Sequence, residues 1–300
     1  MMAYGSKITV LSLTSVAAAA LLAGGCLADE RKPYAEKDEV QPRSGLAPCS
    51  ARLALVRAPR LAPSDAAEDL VEEAFDAQRL LGVEENVEIL SGDGGEGGFL
   101  RVRYPEDSVN FGSADDETPL GGAAFYAPFA KTKASCLHYR VRFPTDFEFA
   151  KGGKLPGLYA GEAPSGGEKV SGKDGWSIRL MWREDGEGEL YEYVFNKKGK
   201  YGLSAGRGAF TFPRGRWVEV DLEVVVNDPD ERNGKARLWI DGRPVIEQED
   251  LVYSTEDDGP LEGGLMFSTF FGGSSDSWAS PKDQHVDFAD FRLHAGEDVR

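Results

Sequence analysis

At 300 residues the chain is longer than most single domains, yet a large all-β unit can absorb that length. Its 36 glycines, with 28% charged and 41% hydrophobic residues, fit a loop-rich β protein of extracellular type. A formal net charge of −17 argues against nucleic acid and anionic membrane surfaces as partners.

Residues 1–25 read as a signal peptide of lipoprotein type. Lys7 supplies the positive flank, Ile8 to Ala23 the apolar stretch, and "AGGC" a lipobox that makes Cys26 the lipidated residue. The stretch is short and alanine-rich for a membrane span. Such a leader implies export, either as an outer-membrane lipoprotein or as a secreted or periplasmic protein, with membrane contact only through the lipid. Residues 26–60 are charged, proline-containing and aperiodic, which suits a tether ahead of a domain over 61–300. Once Cys26 is assigned to lipid, Cys49 and Cys136 remain, either paired in an oxidising compartment or as two buried thiols. With three cysteines and three histidines at no ligand spacing, a zinc or copper site is not expected, and no cofactor is required. Asp283, Asp287 and Asp290 are the candidates for a structural calcium, against the alternative of solvated carboxylates on a final strand.

Pro63 to Gly82 predicts one helix, capped by Ser64 and stopped by Gly82, with Leu70, Val71, Phe75, Leu80 and Leu81 on its apolar side. From Val87 onward, short runs rich in aromatic and β-branched residues alternate with Gly, Pro, Asn and Asp. The expected fold is an all-β antiparallel sandwich of jelly-roll type, with the helix packed on it. Asn233-Gly234 reads as a hairpin turn between two of its strands.

"WSIRLMWR" splits by parity: Trp176, Ile178, Leu180 and Trp182 form an apolar core face, and Ser177, Arg179, Met181 and Arg183 point outward. In the following arm Glu189, Tyr191 and Tyr193 share one face, and pairing sets the tyrosines beside Ser177 and Arg179. Aromatic rings next to arginine suit sugar binding. Glu192 falls on the opposite, core-directed face, so either it reaches water near the strand end or the faces of this arm are inverted. "KGGKLPGLYAG" predicts a rigid turn that confines Lys154, and the Ser268–Asp283 stretch sets Trp278 in a loop of ligand-edge character. Lys151 to Arg216 carries 12 Lys and Arg against 8 Asp and Glu, a local +4 that leaves −21 for the rest. That clustering suits an anionic ligand, with Arg183, Lys197, Lys198, Lys200 and Arg207 extending the strip.

"GGKLPGLYAG", "GWSIRLMWR", "GELYEYVF" and "STFFGGSSDSWASPKDQHVDFADFRL" together resemble polysaccharide lyase family 14, the alginate lyases and related uronan lyases. The resemblance implies a β-jelly roll that cleaves an anionic uronic-acid polymer by β-elimination, leaving an unsaturated end. It assigns the functional lysine to Lys154, the serine and arginine to Ser177 and Arg179, and the Tyr-x-Tyr to Tyr191 and Tyr193. The chemistry needs a cation for the substrate carboxylate, which suits Arg179, and an acid/base pair, for which Lys154 and Tyr193 are the candidates. Ser177 and Tyr191 would position the sugar. Mutual crowding of these cations and phenols is expected to lower the Lys and Tyr pKa values. Besides a structural envelope lipoprotein, two other readings compete. A glycoside hydrolase needs two carboxylates flanking the bond, but Glu189 and Glu192 have opposite parity. A non-catalytic lectin-like sandwich needs no acid or base.

Overall fold

The computed structural model describes residues 34–35, 45–92, 97–115, 118–197, 199–256, 261–273 and 275–297. The signal peptide, Cys26, Lys198 and residues 26–33 and 36–44 of the expected tether lie outside them. The chain runs through β1 (Tyr34–Ala35), β2 (Ala54–Arg57), α1 (Ala67–Phe75), β3 (Gln78–Leu81), α2 (Val83–Asn86) and β4 (Val87–Leu90). β5 (Phe99–Tyr104), β6 (Ala123–Lys131), β7 (Ala134–Arg142), β8 (Gly152–Gly161), β9 (Gly175–Arg183) and β10 (Gly188–Tyr193) follow. The last are β11 (Leu203–Ala205), β12 (Trp217–Val225), β13 (Gly234–Ile240), β14 (Arg243–Leu251), β15 (Glu262–Phe271) and β16 (Gln284–Gly296).

These strands form two stacked sheets, a jelly-roll β-sandwich. One has the order β1-β11-β10-β9-β8-β15-β6-β3; the other is β14-β13-β12-β7-β16-β5-β4, with β2 added against β16. Pairing is antiparallel apart from the two-residue β1 beside β11. Period-two alternation drives the stacking, because each strand offers one apolar face that only the opposite sheet can cover. Trp176, Ile178, Leu180 and Trp182 of β9 all enter the common core, as their parity requires. Trp182 packs edge-on against Phe143 and Phe271, at 5.8 and 5.3 Å, and its indole N–H donates to the Phe149 carbonyl at 3.1 Å. Each such ring contributes about 1.5–3 kcal/mol by leaving water. Gly153 is required directly above it, since a Cβ there would lie 2.1 Å from the Trp182 ring.

The helix is shorter than its sequence pattern suggests. α1 ends at Phe75, where Asp76 turns left-handed (φ 54°) and donates its N–H to the Glu72 carbonyl. Ser64 does not cap it; its Oγ accepts the Ala66 N–H in a local turn, at 3.1 Å. Val71 and Phe75 anchor the helix, with Phe75 5.0 Å from Phe125. Arg79, Leu80 and Leu81 leave the helical path to become β3, because the open edge of β6 offers backbone partners that a longer helix would forgo.

Residues 45–60, expected to be part of the tether, include segments that pack on the sandwich. A 3-10 turn at Cys49–Ala51 and the strand β2 belong to the sandwich, and a disulfide joins Cys49 to Cys136 of β7. Leu46, Cys49 and Leu53 pack with Cys136, Val225 and Trp239, and Arg52 pairs with Glu223 at 2.7 Å. Those apolar positions are too sparse to show periodicity. Asn233-Gly234 closes a longer loop between β12 and β13 rather than a tight hairpin. The two-residue turn is Asp241-Gly242, both residues left-handed (φ 50° and 72°), as a type I′ turn demands. Asp287 is bound by Arg101 and Arg142 at 2.8 Å, Asp290 by Arg292 at 2.7 Å, and Asp283 by the Glu106 N–H at 2.9 Å. The three candidate calcium carboxylates therefore serve separate partners.

Glu192 neither reaches water nor inverts its strand. It stands opposite Ile178 on the core face of β10, fully buried. Burial pushes its pKa up to about 8, opposed by the side chain of Gln248. With the amide oriented to donate, Gln248 nitrogen lies 2.6 and 3.1 Å from the two carboxyl oxygens. The folded state thus holds a neutral acid that the unfolded chain ionises near pH ~4.3. Between those values the native state binds the extra proton, so stability declines as pH rises toward 8 and levels off above it. Glu192→Gln is expected to be more stable than the parent at pH 8, by on the order of a few kcal/mol, and to flatten that decline. Parallel denaturant titrations at pH 5 and pH 8 measure both, and an unchanged slope would refute the assignment.

Candidate active site

The outward face of β9 is not a wet surface. All nine β9 residues are buried, including Ser177, Arg179 and Arg183 at 0, 3 and 3% exposure. The cover comes from the β10 tyrosines and from the loop between β8 and β9: Val170 packs with Met181, Tyr191 and Tyr193.

Strand register assembles the site. β10 sets Tyr191 opposite Arg179, Tyr193 opposite Ser177 and Glu189 opposite Met181. On the other side β8 sets Lys154 opposite Met181. The "KGGKLPGLYAG" stretch is thus a central strand rather than a turn. It tolerates Pro156 because the register slips between Leu155 and Gly157, and such an irregularity is where a sheet admits a missing N–H. Lys154, half-buried, places its Nζ 3.9 Å from the Tyr191 ring centroid and 2.7 Å from Met181 Sδ. Parity puts Met181 on this face, but nothing in the sequence marks it as the lysine's seat.

Arg179 is the electrostatic centre. Among the described residues no carboxylate pairs with it; Nη1 reaches Ser268 Oγ at a long 3.5 Å, and Nε is buried without a partner. Burial lowers its pKa, against the opposing pull of Tyr193, Tyr126 and Tyr191. Tyr191 moves opposite to the sequence expectation. Burial, then the neighbouring Tyr193 phenol, pushes its pKa far above the usual value, so Tyr191 keeps its proton and serves as a donor. Its oxygen accepts the Gly202 N–H at 3.1 Å, and Tyr193 accepts the Gly167 N–H at 2.8 Å. The two rings meet edge-on at 5.8 Å.

Several sequence-derived candidates are already engaged. Ser177 Oγ donates to the Pro164 carbonyl at 2.5 Å, so this hydroxyl fastens the covering loop. Arg183 forms a buried pair with Glu189, which also binds Arg207 at 2.8 Å. Burial opposes ionisation of Glu189, but the two guanidiniums hold its carboxyl below the usual range. That triad leaves one net positive charge at the end of the strip. Lys197 donates to the carbonyls of Gly199, Lys200 and Tyr201, closing its own loop, with its Nζ 5.1 Å from the Tyr193 ring. Burial lowers its pKa. Trp278 is partly exposed, 5.9 Å from the Arg183 guanidinium. Glu189 and Glu192 lie on opposite faces of β10, which excludes them as a hydrolase pair.

Residues 93–291 match the family polysaccharide lyase 14. The chain belongs to polysaccharide lyase family 14. The crystal structure of a PL-14 alginate lyase from Aplysia kurodai is 30% identical, covering 81% of this chain and all of that one, with a TM-score of 0.70. The alginate lyase Aly36B shares the fold at 22% identity, covering 83% of this chain and 100% of its own, TM-score 0.67. So does the alginate lyase vAL-1 from Chlorella virus, at 20% identity, 81% and 100% coverage and a TM-score of 0.66. No curated protein sequence matches the chain. Family 14 membership makes this protein a polysaccharide lyase and disfavours the lectin reading.

Proposed function

We propose that this lyase cleaves an alginate-like uronic-acid polymer by β-elimination at the face built from Lys154, Arg179, Tyr191 and Tyr193. The observation that carries the reading is Arg179, a buried guanidinium with no carboxylate partner among the described residues and an orphaned Nε. A buried cation without a counter-ion is costly, and a substrate carboxylate in bidentate contact would relieve that cost. The C5 proton of a uronate is acidified by the adjacent carboxylate, and its removal builds charge that Arg179 neutralises. The C5–H electrons form the C4=C5 double bond, the C4–O bond breaks, and the departing glycosidic oxygen takes a proton.

Lys154 and Tyr193 serve as the acid/base pair. The Gly167 N–H aimed at the Tyr193 oxygen fixes the phenol beside Arg179 and Tyr191. Tyr191, held neutral by burial, supports Lys154 on its ring face and donates toward substrate. Trp278 and the Arg183–Glu189–Arg207 triad border this face.

Incubation with alginate and with glucuronan is expected to generate the ultraviolet absorbance of a conjugated C4=C5 double bond. New reducing ends without that absorbance would indicate hydrolysis, and binding with neither would indicate a lectin; both outcomes reject the proposal.

A further inference from the structure

We infer that Arg79 of β3, seated on the ring of Tyr126, forms a remote subsite for the carboxylate of a uronate about three sugar units from the reacting one. The inference rests on the uronan-lyase reading of Arg179 and Lys154.

One register row crosses the catalytic sheet from Tyr191 to Arg179, Gly157, Met266 and Tyr126. Strands lie about 4.8 Å apart, and a 1,4-linked pyranose advances by roughly one such interval, so Tyr126 stands about three units from Arg179. Between them lie Gly157 and Met266, the latter packed with Ala163 of the covering loop. Gly157 has no side chain, and a Cβ there would lie 2.0 Å from the Ile178 carbonyl, so no larger residue fits.

At the far end Tyr126 is half-buried and meets Tyr159 edge-on at 5.2 Å. The Arg79 guanidinium lies 5.4 Å from the Tyr126 ring centroid, with 61% of its side chain exposed. Its backbone is left-handed (φ 54°), a conformation that costs energy for a residue with a Cβ and marks sites where position matters. A cavity of about 480 Å³ opens here, lined in part by Arg79, Tyr126, Glu162, Pro164 and Val170. Val170, on its wall, also packs on Tyr191 and Tyr193. Arg79 and Arg179 both act on the Tyr126 phenol, against a larger effect of burial, which places the two guanidiniums in one electrostatic neighbourhood.

The acidic neighbours do not fill the site. Glu168 accepts the Ser165 N–H at 2.7 Å, and Asp174 accepts the Ser171 hydroxyl at 2.7 Å. Glu162 is the competitor, 3.9 Å from Arg79 and 76% exposed, a loose pair that a sugar carboxylate can displace.

The test compares wild type, Arg79→Ala and Glu162→Gln on a uronate polymer and on the corresponding trisaccharide, which is too short to span both sites. Arg79→Ala is expected to raise KM on polymer about fivefold with kcat little changed, and to leave trisaccharide kinetics alone. Glu162→Gln is expected to lower KM on polymer. An active enzyme whose Arg79→Ala variant keeps the wild-type KM, or shifts it equally for both substrates, overturns the subsite. A wild type inactive on every uronan overturns the parent reading and the subsite with it.

Discussion

Replacing Arg179 with methionine is expected to lower kcat/KM on a uronate polymer by about 10²–10³-fold while leaving the thermal midpoint unchanged or higher. The two halves of that result have one cause. Arg179 is buried, its Nε has no partner, and no carboxylate among the described residues balances it. In the resting enzyme the charge is therefore a burden, which an apolar side chain of similar length removes. During elimination the same charge faces a developing dianion, where a fixed guanidinium in a dry site stabilises far more than water does. Arg179→Lys should recover little, because an ammonium cannot make the planar two-point contact. Melting curves and initial rates on the same preparations decide the matter. A loss of activity that tracks a loss of stability would make Arg179 a structural residue.

Lys154→Ala is expected to reduce kcat by about 10²–10⁴-fold with stability held within about 1 kcal/mol. Lys154 reaches over the Tyr191 ring and Met181 Sδ on the face turned away from the core, so its removal leaves the packed layer intact. Lys154→Arg separates two roles. It keeps the positive charge but cannot exchange a proton, so it should remain as inactive as the alanine variant. Recovery of activity in Lys154→Arg would reduce the lysine to an electrostatic contributor and leave Tyr193 to act without it.

The arrangement of the candidate site was legible because its information is local. Period-two alternation set Trp176 to Trp182 inward and Arg179 outward, and hairpin pairing put Tyr191 and Tyr193 across from Arg179 and Ser177. What lay beyond reach depended on long-range contacts. Ser177 and Pro164 are 13 residues apart, and only the folded covering loop brings the carbonyl to the hydroxyl. Arg183 read as a free cation because Glu189 looks like an ordinary surface carboxylate until β10 folds back onto β9. Crowding was expected to lower the tyrosine pKa values, yet in Tyr191 burial outweighs the nearby cation, and burial cannot be read from a short motif. α1 was overextended for a similar reason: Leu80 and Leu81 fit helical spacing, but the free edge of β6 claims them. Glu192 was recognised as misplaced without its remedy, since Gln248 lies 56 residues further along the chain.

The Cys49–Cys136 cross-link also limits what the denatured chain can do. It closes a ring across a sequence separation of 87 residues, enclosing β2 to β6 and both helices even when every strand has come apart. On chain-entropy grounds that restriction amounts to about 4–5 kcal/mol, acting on the unfolded ensemble and not on any native contact. Arg79 sits inside the ring, so the outlying arginine searches a smaller volume for its edge of the sheet than a free terminus would.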